Sequence, residues 1–134
     1  MAKIKASLTL SSTDALSTPV ALSLSTTMDV DSGSVIRAKV ATTAASGAMT
    51  VHKADEKLES SYLYIRNLDP VRENFLHVFA DTTTDDPVVM KIAGGEFAFV
   101  PVQFDQTYKA YGTKTEQILE YGVFGLDNAS TILS

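Results

Sequence analysis

The dominant period along this chain is two. Ile4, Ala6, Leu8 and Leu10 alternate with Lys3, Lys5, Ser7 and Thr9, which predicts a half-buried strand with one apolar and one polar face. Ser11-Ser12-Thr13-Asp14 interrupts the pattern, and Pro19 opens the next run. There Val20, Leu22 and Leu24 alternate with Ala21, Ser23 and Ser25. Asp31-Ser32-Gly33-Ser34 is a turn cluster. Residues 35–43 read as a third strand, Ala44-Ala45-Ser46-Gly47 as a connector and residues 49–53 as a fourth strand. Residues 54–59 suit either a charged loop or one helical turn, which is too short to be a stable helix.

After residue 60 the same period continues with larger side chains. Tyr62 and Tyr64 alternate with Leu63 and Ile65. Asn67-Leu68-Asp69-Pro70 is a turn, because Pro70 steers Asp69 away from helix. Phe75, His77 and Phe79 share one face and Leu76, Val78 and Ala80 the other, as in a strand buried on both sides. A polar loop (81–87) leads to a strand at 88–93. Gly94-Gly95 predicts a tight hairpin into 96–102, where Phe97 and Phe99 share a face and Pro101 points to a sheet edge or a bulge. Short residues 108–111 and a final strand at 116–126 follow, with Gly122 predicting a bulge. Nine or ten short strands, turn signals every 8–12 residues and little or no helix predict an all-β, single-domain antiparallel sandwich of jelly-roll-like type.

Composition adds an asymmetry. All eleven aromatic residues lie between Tyr62 and Phe124. Rings supply much of a typical core, so the conventional core is expected from residues 62–134. The aromatic-free residues 1–61 are expected as a thinner second layer, with an N-terminal arm. Charge follows the same division. Residues 1–61 carry six basic and six acidic groups, and residues 62–134 carry five basic and ten acidic groups, giving a net charge of −5. With no basic cluster, nucleic acid is not an expected partner. No run approaches the ~20 apolar residues of a membrane helix. No signal peptide is visible at the start, so synthesis in the cytoplasm is expected. The absence of cysteine excludes disulfides and thiolate metal sites.

Candidate chemistry is sparse. Only two histidines are available as bases, His52 and His77. His77, between Phe75 and Phe79, reads as a packed or rim histidine, and His52 as a surface one. Neither accompanies a nucleophile elbow. Asp29-Val30-Asp31-Ser32-Gly33 starts like a calcium loop, but its glycine is one position early and its twelfth position is Val40. Asp81, Asp85 and Asp86 form an acidic loop whose default reading is solvated, with a weak cation site as the alternative. Paired carboxylates for sugar hydrolysis are no better supplied than in any acidic protein. No tryptophan is present to stack a sugar ring. Asn128-Ala129-Ser130 matches a glycosylation sequon but carries no meaning without secretion. No catalytic residue, metal ligand or cofactor is assigned, and the chain is expected not to be an enzyme. Ile4, Leu8, Tyr108, Tyr111 and Tyr121 are the candidate interface residues. For the tyrosines the alternative is core packing with the hydroxyl at the rim.

Three stretches, Tyr62-Leu63-Tyr64-Ile65-Arg66-Asn67, Gly95-Glu96-Phe97-Ala98-Phe99-Val100-Pro101 and Glu120-Tyr121-Gly122-Val123-Phe124, occur in an order that resembles small all-β virion proteins of tailed bacteriophages. The resemblance spans residues 60–126. It implies a structural role, most often capsid decoration or cement and sometimes a tail, neck or fibre part. The implied partners are the major capsid protein and copies of the chain itself, as a trimer or dimer, on the capsid exterior. A carbohydrate-binding module is the third reading.

Overall fold

The computed structural model describes residues 2–13, 20–40, 43–82 and 86–127. Pro19, Asp85 and the Asn128-Ala129-Ser130 sequon lie outside them. Ten strands follow in order: β1 (Ala2–Ser12), β2 (Val20–Val30), β3 (Ser32–Val40), β4 (Met49–His52), β5 (Leu58–Asn67), β6 (Leu76–Ala80), β7 (Val88–Ile92), β8 (Phe97–Val102), β9 (Tyr108–Gly112) and β10 (Gln117–Asp127). Every pairing is antiparallel, and the described residues contain no helix. Residues 54–57 form a loop, turning at Glu56-Lys57, and Leu58 and Glu59 begin β5.

The chain divides into two compact units, Met1–Asp31 and Ser32–Ser134. The first is a hairpin. Its strands pair without a break from Ala2 opposite Val30 to Ser12 opposite Val20, a ladder about 33 Å long. Residues directly opposite share a face. Ile4, Ala6, Leu8 and Leu10 therefore lie beside Met28, Thr26, Leu24 and Leu22 on one face, while Lys3, Lys5, Ser7 and Thr9 lie beside Asp29, Thr27, Ser25 and Ser23 on the other. Asp29, the last residue but one of β2, pairs with Lys3 at 2.6 Å, so the start of the calcium-loop pattern is part of a ladder.

The second unit contains two four-stranded sheets, ordered β3-β10-β5-β8 and β4-β9-β6-β7. Only β6 and β7 are neighbours both in sequence and in a sheet. Every other connection crosses between layers, and the first strand pairs with the last. That order is the jelly roll, two Greek keys wound together. The expected split into layers at residue 61 is corrected. That position falls inside β5, and each sheet combines one early strand (β3 or β4) with three later ones.

The core is aliphatic. Val40, Leu63, Ile65 and Leu119 from the first sheet meet Val51, Leu76, Val78, Ile92, Tyr108 and Ala110 from the second. Of the rings only Phe79 and Tyr108 are buried, which corrects the expectation of an aromatic core. Strand parity decides it: with Leu63 and Ile65 inward, Tyr62 and Tyr64 must point outward. β6 is buried on both faces, as its composition predicts, with Phe79 2% exposed on the outer side.

Two turn signals resolve differently from expectation. Gly94-Gly95 makes a tight turn, with Glu96 N–H donating to the Ala93 carbonyl at 3.0 Å and Gly95 at φ 87°. The flanking strands β7 and β8 belong to different sheets, so it is a crossing and not a hairpin. At Gly122 the register with β3 and β5 is unbroken; the shift lies at Leu126/Asp127. A Cβ at Gly122 would stand 2.6 Å from the Ser34 carbonyl oxygen, so the glycine allows close strand approach. Pro101 lies on β8, an edge strand, as expected.

Candidate docking surfaces

The hairpin carries an apolar face whose leucines are exposed. Leu8, Leu10, Leu22 and Leu24 are 41 to 55% exposed, and Ile4 and Ala6 are half-buried. Two-stranded hairpins are marginal in water. Covering these leucines would contribute about 1 kcal/mol each, since full burial is worth roughly 1.5–3. Ile4 and Leu8 thus fall together, as the sequence pattern predicts, and Leu22 and Leu24 join them across the ladder.

A second open surface is the outward face of the β3-β10-β5-β8 sheet. Register places Pro101, Tyr62, Phe124 and Gly33 in one row, Phe99, Tyr64, Gly122 and Val35 in the next, and Phe97, Arg66, Glu120 and Arg37 in the third. Tyr62 and Phe99 stack at 5.9 Å, and Phe99 meets Phe124 at 6.5 Å. The Phe124 ring lies over Gly33, where a Cβ would collide with it. Phe97, at the sheet edge, is 63% exposed. From the second row the Tyr64 hydroxyl donates to Glu120 Oε1 in the third at 2.7 Å, and Arg37 Nε donates to Oε2 at 3.0 Å. These bonds hold the Glu120 carboxyl below its ordinary range. Burial and the bond to Glu120 raise the Tyr64 hydroxyl. Tyr62/Tyr64 and Phe97/Phe99, each two residues apart, signal this face in the sequence. The reading of rings as core concealed it.

The candidate tyrosines do not share one surface. Tyr108 packs in the core beside His52, with ring centroids 5.7 Å apart; this corrects its placement as an interface anchor. Tyr121 is half-buried against the core from β10. Tyr111 lies on the outer face of the other sheet, stacked on His77 at 4.8 Å. Burial, and Lys91 in the adjoining strand, hold His77 below its ordinary pKa.

His52 is also corrected, from surface to interior: it is 1% exposed. Nδ1 donates to the Gln106 carbonyl at 2.8 Å, and that fixes Nε2 of the neutral ring as the acceptor of the Ser61 hydroxyl, also at 2.8 Å. Burial keeps its pKa low, partly offset by the bond to Gln106. A serine, a histidine and an orienting carbonyl resemble a nucleophile-base pair, but Ser61 is 1% exposed. The hydroxyl is sealed from solvent, and the bond links β4 to β5.

A second buried polar group closes one end of the sandwich. Asn67 Nδ2 donates to the carbonyls of Asn74 (2.7 Å) and Ile92 (2.9 Å), and its Oδ1 accepts from Asp69 N–H (3.1 Å) and the Gln117 amide (3.4 Å). Asp69, nearly buried, would be pushed up by desolvation. Asn74, the Val71 N–H and Lys114 at 3.0 Å outweigh that and hold it low.

The described residues of the acidic loop are bonded. Asp81 pairs with Lys109 at 3.3 Å, and Asp86 exchanges backbone and side-chain hydrogen bonds with Thr82. Among the described residues no three His, Asp or Glu side chains are placed to hold a metal ion. Between the free margins of β7 and β8 run two shallow openings of about 510 and 310 Å³, lined by Met90, Ile92, Phe97, Ala98, Val100 and Val102 among others. Among the described residues Lys91 and Glu96 are the ionisable side chains on the first, and Tyr108 on the second.

No family model, curated protein or solved structure matches this chain.

Proposed function

We propose that the chain is a structural protein of a tailed-phage virion that decorates the capsid exterior and stabilises contacts between major capsid subunits. The carrying observation is the hairpin: a ladder of eleven paired residues with one face apolar and open and the other solvated. Such a face suits adhesion, and many copies repeating one modest contact give lattice stability by multivalency. The ordered motifs of β5, β8 and β10 support the virion reading. The sealed Ser61-His52 pair and the shallow β7/β8 openings favour a role without catalysis. A tail, neck or fibre location is the second reading, favoured when copies number six or twelve per particle instead of hundreds.

The test uses purified chain added to capsids that lack it. Wild-type protein is expected to co-sediment with the shells and raise their resistance to heat. Leu8→Asp combined with Leu24→Asp places charge on the apolar face without touching the jelly-roll core, and is expected to weaken binding at least tenfold. Undiminished binding by the double variant, or shells equally robust with and without the protein, would overturn the proposal.

A further inference from the structure

A two-layered sandwich has four free margins, and three of them here are blunted. β4 has four residues and its ladder slips between Thr50 and His52. β7 has five, and its ladder with β6 slips at Val78/Phe79. β8 carries Pro101, which has no N–H to offer an added strand. β3 differs on each count. It has nine residues, no proline, and unbroken register with β10 from Gln117–Val40 to Gly125–Ser32. Among the described residues no strand pairs with its other side. An unguarded margin of this length is a template for another strand. Its charges do not guard it, since Arg37 and Lys39 lie on the outer face and Arg37 is engaged by Glu120.

We propose that β3 is a self-pairing edge: two copies join β3 to β3, antiparallel about a two-fold axis through Ile36, to form one eight-stranded sheet. The strand's own pattern selects this register. Ser32–Val40 has Ile36 at its midpoint, so this centre uses the whole strand with no overhang. Each Ile36, core-facing yet 48% exposed, meets its copy and closes the open side of both sandwiches. Val35 then stands opposite Arg37 of the other copy, and Ser34 opposite Ala38. Centring on Arg37 would instead oppose like charges directly, which destabilises a ladder. Nine paired positions supply about eight backbone hydrogen bonds. The interface takes a second copy of this chain as its partner. It deepens the assembly reading above and rests on it for a supply of neighbours, but a dimer forms without any shell.

The cysteine-free sequence makes the register directly measurable on the full chain. In this register the two Ile36 Cα atoms are about 5 Å apart, within disulfide reach, whereas the two Lys39 positions are about 20 Å apart. Sedimentation at about 100 µM is expected to give the dimer mass. Mild oxidation of Ile36→Cys is expected to give covalent dimer, and of Lys39→Cys none. Ile36→Lys is expected to halve the mass while keeping the wild-type circular dichroism. A wild-type monomer, or equal crosslinking at the two positions, overturns the inference. A monomer that still binds shells defeats the β3 edge alone, and a β3-linked dimer that ignores shells defeats only the virion reading.

Discussion

Asn67 does at one position what a cross-link does in cysteine-containing domains. Its side chain ties the residues after β5, the end of β7 and the start of β10 through Asn74, Ile92 and Gln117. Asn67→Ala removes the side-chain donor to the Ile92 carbonyl and leaves the Asn74 carbonyl with the Gln117 amide at 3.1 Å; a buried carbonyl left without a donor costs ~1–3 kcal/mol. Chemical denaturation is expected to show a loss of about 2–4 kcal/mol, and a loss below 0.5 would show the bonds to be dispensable. The sequence identifies Asn67 as a turn residue and no more, because, Asp69 apart, its partners lie 7 to 50 positions away. The burial of His52 is hidden for the same reason: a lone histidine between Val51 and Lys53 carries no sign of Gln106 or Ser61. Burial sets the acid response. Both histidines have folded pKa values below their ordinary value of about 6.5, so on acidification the unfolded chain takes up protons first. Their contribution is complete above that value and is lost as pH falls through it. Asp69 and Glu120, held low when folded, add a second loss below about pH 4. The melting temperature is expected to fall from pH 7.5 to 5, less steeply in His77→Phe. A flat profile over that range contradicts the buried, neutral histidines.

At the scale of elements the strands were legible and their partners were not. Period-two alternation, punctuated by turn signals, located all ten strands of the described residues. Alternation fixes which residues share a face but not which face is inward. Between Tyr62/Tyr64 and Leu63/Ile65 both choices are apolar, and the close packing of two sheets settles on the aliphatic pair. The rings then form the outer rows with Phe97, Phe99 and Phe124. Gly94-Gly95 is a related case. A tight turn is encoded locally, whereas its role as a crossing depends on β7 finding β6 and β8 finding β5.

At the scale of the molecule, the sandwich carries its own core. Every buried member of the main cluster lies between Val40 and Leu119, and none comes from the hairpin. Removal of residues 1–31 is therefore expected to leave a protein that unfolds cooperatively, with β-type circular dichroism and a melting temperature within about 5 °C of the full chain, a shift of roughly 1 kcal/mol at this size. Loss of cooperative unfolding would mean that the hairpin is part of the folding unit. The candidate surfaces were half legible: Ile4 and Leu8 were visible as one stripe, while Leu22 and Leu24 became their neighbours only through the ladder.

Pro101 sets how far association can proceed. A sheet that accepts an addition at one margin and refuses it at the opposite one is finished after a single joining event. Concentrated solutions of this protein should hold discrete pairs, with no ribbons that lengthen with time and no seeded growth.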